Sequence, residues 1–206
     1  MQYDLLSRLK AETAQCHSRL ENALDLMRAE WPRDEYISLL EAFYGYITPW
    51  EEAASAAMPD HFKAFFDERR KSSMLAADIV VMTRDRGRIR TLPLAGEDDL
   101  PDMHGLGRVF GSMYVMEGST LGGRFIAPHV ATLFGLQKGE GNAYFEAYGP
   151  RTGSMWNAFR ETAASAVPAT GDEYDAAVSA AVQTFDGLHA WLSEARSARV
   201  ETGTPA

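Results

Sequence analysis

The chain has 206 residues, one cysteine, and 20 Lys and Arg against 29 Asp and Glu, a formal net charge of −9. The lone Cys16 excludes an internal disulfide framework and a cysteine-rich zinc site, and the acidic balance argues against general nucleic-acid binding, which needs clustered cations. A composition of 46% hydrophobic and 24% charged residues fits one globular domain, residues 1–206, with a core of its own. Met1-Gln2-Tyr3-Asp4 does not open a basic segment with an apolar run behind it, and no apolar run reaches membrane-spanning length. No signal peptide, no membrane span and a cytoplasmic location are therefore expected.

Leu6, Leu9, Thr13, His17, Leu20, Leu24 and Met27 recur at spacings of three and four. They predict one long amphipathic helix over residues 3–28, ended by Trp31-Pro32. A second helix starts at Pro32 or Arg33 and buries Tyr36, Leu39, Leu40, Phe43, Ile47 and Trp50, with a kink or interruption at Pro49. Pro59-Asp60 opens another, followed by Phe62, Phe65 and Phe66. Ser72 or Ser73 caps the next, with Leu75, Ile79 and Met82 inside. Residues 86–102 carry Gly87, Pro93, Gly96 and Pro101 and read as a loop. Leu106 to Leu136 is a long glycine-rich helical stretch, and residues 139–153 read as a connector. Two helices follow near 151–166 and 172–198, the last capped by Asp172 and striped by Tyr174, Val178, Ala181, Val182, Phe185, Leu188 and Leu192. Residues 199–206 read as a flexible tail. No alternating strand pattern appears, so the expected architecture is an all-α bundle of seven or eight helices, with ligand sites between facing helices.

Two constellations carry chemistry. His17 shares a stripe with Thr13 and Leu20, so it is expected to face the core, where a histidine most often bonds a backbone carbonyl. Lys10 lies two turns upstream on nearly the same face, and Glu21 one turn downstream. An imidazole with a cation two turns away suits a planar ligand with an iron centre and an anionic edge. Haem is such a ligand, with His17 on the iron and Lys10 on a propionate. Glu21 would orient the ring. Each flanking residue also has a plainer reading, Lys10 as a solvated lysine and Glu21 as a surface partner of Arg19 or Lys10.

The second constellation is Tyr114-Val115-Met116-Glu117-Gly118-Ser119-Thr120-Leu121-Gly122-Gly123. Each glycine inside a helix costs about 1 kcal/mol relative to alanine. One reading is a small-residue face for close helix approach. The other is backbone pressed against a flat ligand, with Ser119 and Thr120 able to hold a water beside it.

Together these residues resemble a known family. Lys10 followed by His17-Ser18-Arg19-Leu20-Glu21-Asn22 is similar to the proximal helix of haem oxygenases. Glu117-Gly118-Ser119-Thr120-Leu121-Gly122-Gly123 is similar to their distal helix, in the form of the bacterial branch, which includes enzymes supplying biliverdin to bacteriophytochromes. The resemblance implies that His17 is the iron ligand and that Lys10 meets a propionate. It implies that Glu21 supports the ring, and that Tyr114, Gly118, Gly122 and Gly123 line the distal face. Gly118, Ser119 and Gly122 would be the positions at which the reaction takes place. A second propionate partner is expected from Arg151 or Arg160, and Phe185 and Trp156 are expected to pack the haem edge or the core. Ser119 stands where the animal enzymes carry an aspartate. The implied reaction uses haem as substrate and cofactor, with O2 and an external electron donor, a reductase or ferredoxin. It yields biliverdin, CO and ferrous iron. A histidine ligand pushes less electron density than a thiolate, which suits this outcome.

The remaining histidines, His61, His104, His129 and His189, read as exposed or structural, and Cys16 as an inert thiol. Arg84, Arg86, Arg88 and Arg90 read as a solvated loop or as a patch for the electron donor. Two other readings stay open: a non-catalytic haem sensor or carrier, and a haem-free enzyme of the thiaminase-like kind, for which Cys16 is the only thiol.

Overall fold

The computed structural model describes residues 4–168 and 170–202, with side chains through Ser197. Among the described residues the structure is all-helical, with short 3-10 turns and no strand.

The expected first helix is two. Helix α1 spans Leu5–Glu12 and α2 spans Ala14–Leu24. Asp4 caps α1 by accepting the Ser7 N–H at 2.9 Å. Thr13 divides the pair, with its hydroxyl donating to the Leu9 carbonyl at 2.7 Å, a local bond that competes with continued helix. The end also falls earlier than Trp31-Pro32, because Asp25 adopts the left-handed conformation that stops α2. Met27, expected on the buried stripe, lies beyond that end and is 52% exposed.

Helix α3, Arg33–Ala57, runs through Pro49 without interruption. Pro49 cannot donate to the carbonyl of Gly45 one turn earlier. That carbonyl instead accepts the Ala95 N–H at 2.9 Å. A Cβ on Gly45 would strike the Pro93 carbonyl, so the glycine lets the 86–102 loop lie directly on the helix.

Helix α4 spans Asp60–Asp67 and α5 spans Ser72–Thr83. Neither Ser72 nor Ser73 caps α5. The cap is the carboxylate of Glu51 on α3, which accepts the backbone N–H groups of Lys71 and Ser72 and, at 2.6 Å, the Ser72 hydroxyl. The loop holds 3-10 turns at Arg88–Thr91 and Glu97–Asp99.

Helix α6 spans Leu106–Phe134, through all its glycines and Pro128, and closes on Gly135. The connector contains a one-turn helix, α7 at Ala143–Glu146, and a 3-10 turn at Gly149–Arg151. Helix α8 spans Thr152–Ala166, and α9 spans Asp172–Thr202. Asp172 is the first helical residue rather than the cap, and the Gly171 carbonyl takes the first bonds, from Tyr174 and Asp175. Of the expected tail, residues 199–202 continue α9 and the rest lies outside the described residues.

Helix α9 is the spine: α6, α3, α2 and α1 all pack on it. At Gly107 and Gly111 of α6, a Cβ would collide with the carbonyls of Glu173 and Ala177, so the two backbones touch there. Trp50 of α3 donates to Ser112 of α6 at 2.7 Å, and Ser112 meets Thr184 of α9 at 2.7 Å. These bonds satisfy the buried polar groups where three helices cross. Asp78 of α5 accepts the N–H groups of Ala143 and Tyr144 at 2.9 and 2.8 Å and so clamps α7 against the bundle.

Candidate functional site

The face of α6 that meets α9 at Gly107 and Gly111 continues, two and three turns further, at Gly118 and Gly122. There the crowding ends. A Cβ on Gly118 would meet only the Trp156 ring at 3.8 Å, and one on Gly122 only its own helix's Ile126 at 3.5 Å. Both glycines therefore present bare backbone with room in front of it. Gly123 does not belong to this face. Its Cβ would collide with the Phe145 carbonyl of α7, so it is a packing glycine and not the expected lining of the distal face.

Toward α1 the open stretch is bordered by Tyr114, which is half-buried, lies in reach of the Thr13 hydroxyl and has its phenol pKa pushed up by burial. Tyr114 also contacts Trp156 of α8 at 5.8 Å between ring centroids. Ser119 donates its hydroxyl proton to the Met116 carbonyl of its own helix at 2.8 Å.

His17 is not in the core. Its side chain is 54% exposed, so the expected burial is corrected. The break at Thr13 removes the continuous stripe on which that expectation rested. The ring stands edge-on to Phe185 of α9, with centroids 5.8 Å apart and an 89° interplanar angle. Its Nδ1 lies 3.3 Å from Glu21. A partner on Nδ1 orients the ring, as one does in histidines that ligate a metal through the other nitrogen. Phe185 is itself 5% exposed and backs the imidazole.

Lys10 is exposed on α1, as is Glu21 on α2. Arg151 is drawn away from them, to Glu68 at 3.4 Å, at the end of α4. Arg160 is nearer to α1: Asp4 is held below the usual carboxylate range mainly by its bonds from Ser7, and further by the Arg160 charge. Of the two arginines, Arg160 thus shares an end of the bundle with α1.

The bland residues are largely as expected. His61 and His104 are exposed, and His104 pairs with Asp102 at 2.7 Å. His129 bonds the Arg28 carbonyl at 2.9 Å. Cys16 is half-buried and its thiol pKa is raised by burial. Arg88 is held by Glu41, so the arginine run is not uniformly free.

Behind the distal segment lies a feature that sequence reasoning missed. Glu117, Lys71, Arg69 and Glu51 are 2%, 5%, 4% and 2% exposed. Lys71 donates to Glu117 Oε1 at 2.6 Å, to Tyr148 at 3.1 Å and to the Arg69 carbonyl at 2.9 Å. Tyr148 donates to the same Glu117 oxygen at 2.7 Å, and burial together with that carboxylate pushes the Tyr148 phenol pKa far up. Glu117 inside an apolar helix was the one available signal.

Among the described residues no helix is long and apolar enough to cross a membrane, and none of their acidic, histidine and cysteine side chains cluster as a metal site. One exposed histidine on α2 and, on α6, glycines with room in front of them are a donor and a surface compatible with haem, which brings four nitrogen ligands of its own. The described residues form an all-helical bundle with an exposed histidine on α2 and open glycines on α6. Residues 3–194 match the family model "Heme oxygenase", and the chain belongs to that family. Among solved structures, it is similar to heme oxygenase-1 from the cyanobacterium Synechocystis in complex with heme, at TM-score 0.77 and 16% identity over 97% of this chain and 96% of that one. It is similar to the heme oxygenase from Leptospira interrogans, at 0.71 and 16% over 93% and 100%. A domain of unknown function with a heme oxygenase-like fold from Shewanella denitrificans matches at 0.76 and 12% over 99% and 97%. No curated protein matches significantly.

Proposed function

We propose that this protein, as one domain over residues 1–206, binds haem between α2 and α6 and cleaves it with O2 to biliverdin, CO and ferrous iron. The observations that carry this reading are an exposed imidazole, His17 with Glu21 at Nδ1, and bare backbone at Gly118 and Gly122 of α6. Bound haem supplies the iron at which O2 is activated. The chain's own residues do the rest. His17 would ligate the iron, its ring held by Glu21 and Phe185. Lys10 and Arg160 are suited to the propionates, and Tyr114 with Trp156 flanks the ring edge. Gly118 and Gly122 would let a porphyrin lie against backbone, and residues 114–123 hold no histidine or arginine beside it. A reductase or ferredoxin supplies electrons from outside. A bacterial-branch enzyme in the cytoplasm, handing biliverdin to a bacteriophytochrome, is the biological form of the same proposal.

One observation favours a second reading, a haem carrier or sensor. The single hydroxyl proton of Ser119 is committed to Met116, whereas turnover needs a proton donor on this side. Titration with hemin, then ascorbate in air with catalase present, separates the two. Loss of the haem band with growth of a biliverdin band is the expected result. A stable, histidine-ligated haem would overturn the oxygenase reading in favour of the carrier.

A further inference from the structure

The segment between α5 and α6 carries both signs of charge and keeps them apart. Arg84, Arg86, Arg88 and Arg90 stand at one end, and Glu97, Asp98 and Asp99 at the other. Arg88 is engaged by α3, where it donates to both oxygens of Glu41 at 2.6 and 2.9 Å. Asp99 is engaged by its own turn, accepting the Gly96 N–H at 2.8 Å. The others are exposed. Among the described residues Arg84, Arg86, Arg90, Glu97 and Asp98 form no ion pair, whereas Arg8, Arg19, Arg28, Arg69 and Arg108 each meet a carboxylate. The Ala95 N–H bonds the Gly45 carbonyl of α3 at 2.9 Å, and a Cβ on Gly187 of α9 would strike the Asp99 carbonyl. The segment is therefore laid from α5 across α3 to α9, a strip with a positive end and a negative end that do not fold back on each other. Between the two ends Leu94 is 53% exposed.

We propose that this strip is a dimer surface: a second copy of the chain lies antiparallel on it, across a two-fold axis at Leu94, so that Arg86 and Arg90 of each copy face Glu97 and Asp98 of the other. A two-fold contact needs a patch that is complementary to itself, and a strip with opposite charges at its ends and an apolar side chain in the middle is such a patch. The choice of occupant follows from the charges. Nucleic acid, an anionic membrane or an acidic protein would answer the arginines and be repelled by Glu97 and Asp98, and residues 81–95 hold no aromatic side chain on which a base could stack. A second copy answers both ends. The net charge of −9 opposes self-association over most of the surface, so a face with its own positive pole is where two copies can meet. A narrow strip with charged ends belongs to the small, transient class of interfaces, governed more by charge than by area. Gly187, on which the strip rests, is about 200° round α9 from Phe185, which backs His17. The dimer therefore leaves the candidate site open, and the proposal does not depend on the haem reading.

Sedimentation equilibrium of the full chain without hemin tests this. At low salt the wild type should form a dimer with a Kd of about 100 µM or tighter, weakened at least about tenfold in about 0.5 M salt, where charges are screened within a few ångströms. Two variants reverse one pole each: Arg86→Glu with Arg90→Glu, and Glu97→Lys with Asp98→Lys. Arg84 is left in place because its backbone is left-handed. None of the four replaced side chains forms an ion pair, so both variants should keep the wild-type circular dichroism spectrum and melting temperature. Each variant alone should be monomeric at the concentrations where the wild type pairs. An equimolar mixture of the two should associate again, because each reversed pole then meets its opposite. A wild type that stays monomeric, a dimer that survives either reversal, or a mixture that fails to associate would overturn the proposal. A monomeric wild type that sediments with anionic phospholipid vesicles would overturn it in favour of a lipid surface.

Discussion

His17 is held from two sides and open on the rest. Glu21 meets Nδ1, and Phe185 supports the ring edge. An exposed side chain with so few packing contacts contributes little to stability, so His17→Ala is expected to shift the unfolding free energy by about 0.5 kcal/mol or less. The same change removes the proposed axial donor and should abolish the histidine-ligated haem spectrum. An unaltered spectrum would remove His17 from the iron. Gly118 offers a matching test on α6. Its Cβ direction is open apart from the Trp156 ring, and replacing glycine in a helix gains up to about 1 kcal/mol of propensity. Gly118→Leu should therefore fold at least as well as wild type by thermal melting and lose hemin affinity by about tenfold or more, equal to about 1.4 kcal/mol. Full affinity in that variant would show that the bare backbone at this turn is not a ligand wall.

At the scale of elements, α6 uses its glycines for two purposes that spacing alone does not separate. Gly107 and Gly111 let it touch α9, Gly123 lets it touch α7, and Gly118 and Gly122 touch little. Gly123→Ala should thus cost about 1–3 kcal/mol in urea unfolding, because the Phe145 carbonyl must move; a neutral effect would mean that α7 is not seated as described. This explains what was legible in the sequence. Helical periodicity located α3, α4, α5, α6, α8 and α9, since each carries a buried face of ordinary spacing. The break at Thr13 was not legible, because threonine is common inside helices and no glycine or proline marks the site. His17 lies near the edge of its stripe, about 40° round from Thr13, so a small change of register between α1 and α2 turns it outward. The motif pair at His17 and Gly118 was legible because local spacing defines it. The Glu51 cap of α5 and the Glu117–Lys71 pair join residues far apart in sequence, and no local pattern records such partners.

For the molecule as a whole, the joint between α5 and α7 links acidity to stability. Asp78 is buried, and desolvation, with a smaller push from Glu146, outweighs the backbone N–H groups of Tyr144, Ala143 and Gly141 and raises its pKa to about 6. A raised carboxyl pKa means that the native state binds a proton the unfolded chain has already released. The stability it contributes is therefore full below about pH 4, declines as pH climbs toward 6, and is flat above that. Exposed Asp4, Asp60 and Asp102 have lowered pKa values, and they work in the opposite sense at lower pH, so wild type alone will not isolate the effect. Asp78→Asn will. The variant keeps one acceptor oxygen and gives up one of the two N–H bonds, a loss of about 1 kcal/mol near neutrality. Its deficit relative to wild type should then widen on acidification from pH 7 to pH 4, by up to about 3 kcal/mol for a shift of this size. Urea unfolding of both proteins across that range reads the difference directly. A deficit independent of pH would mean that Asp78 stays ionised throughout, with the α7 amides compensating its burial. Tyr36 donates to the Gly141 carbonyl at 2.6 Å from α3, so the segment leading into α7 is gripped from two helices.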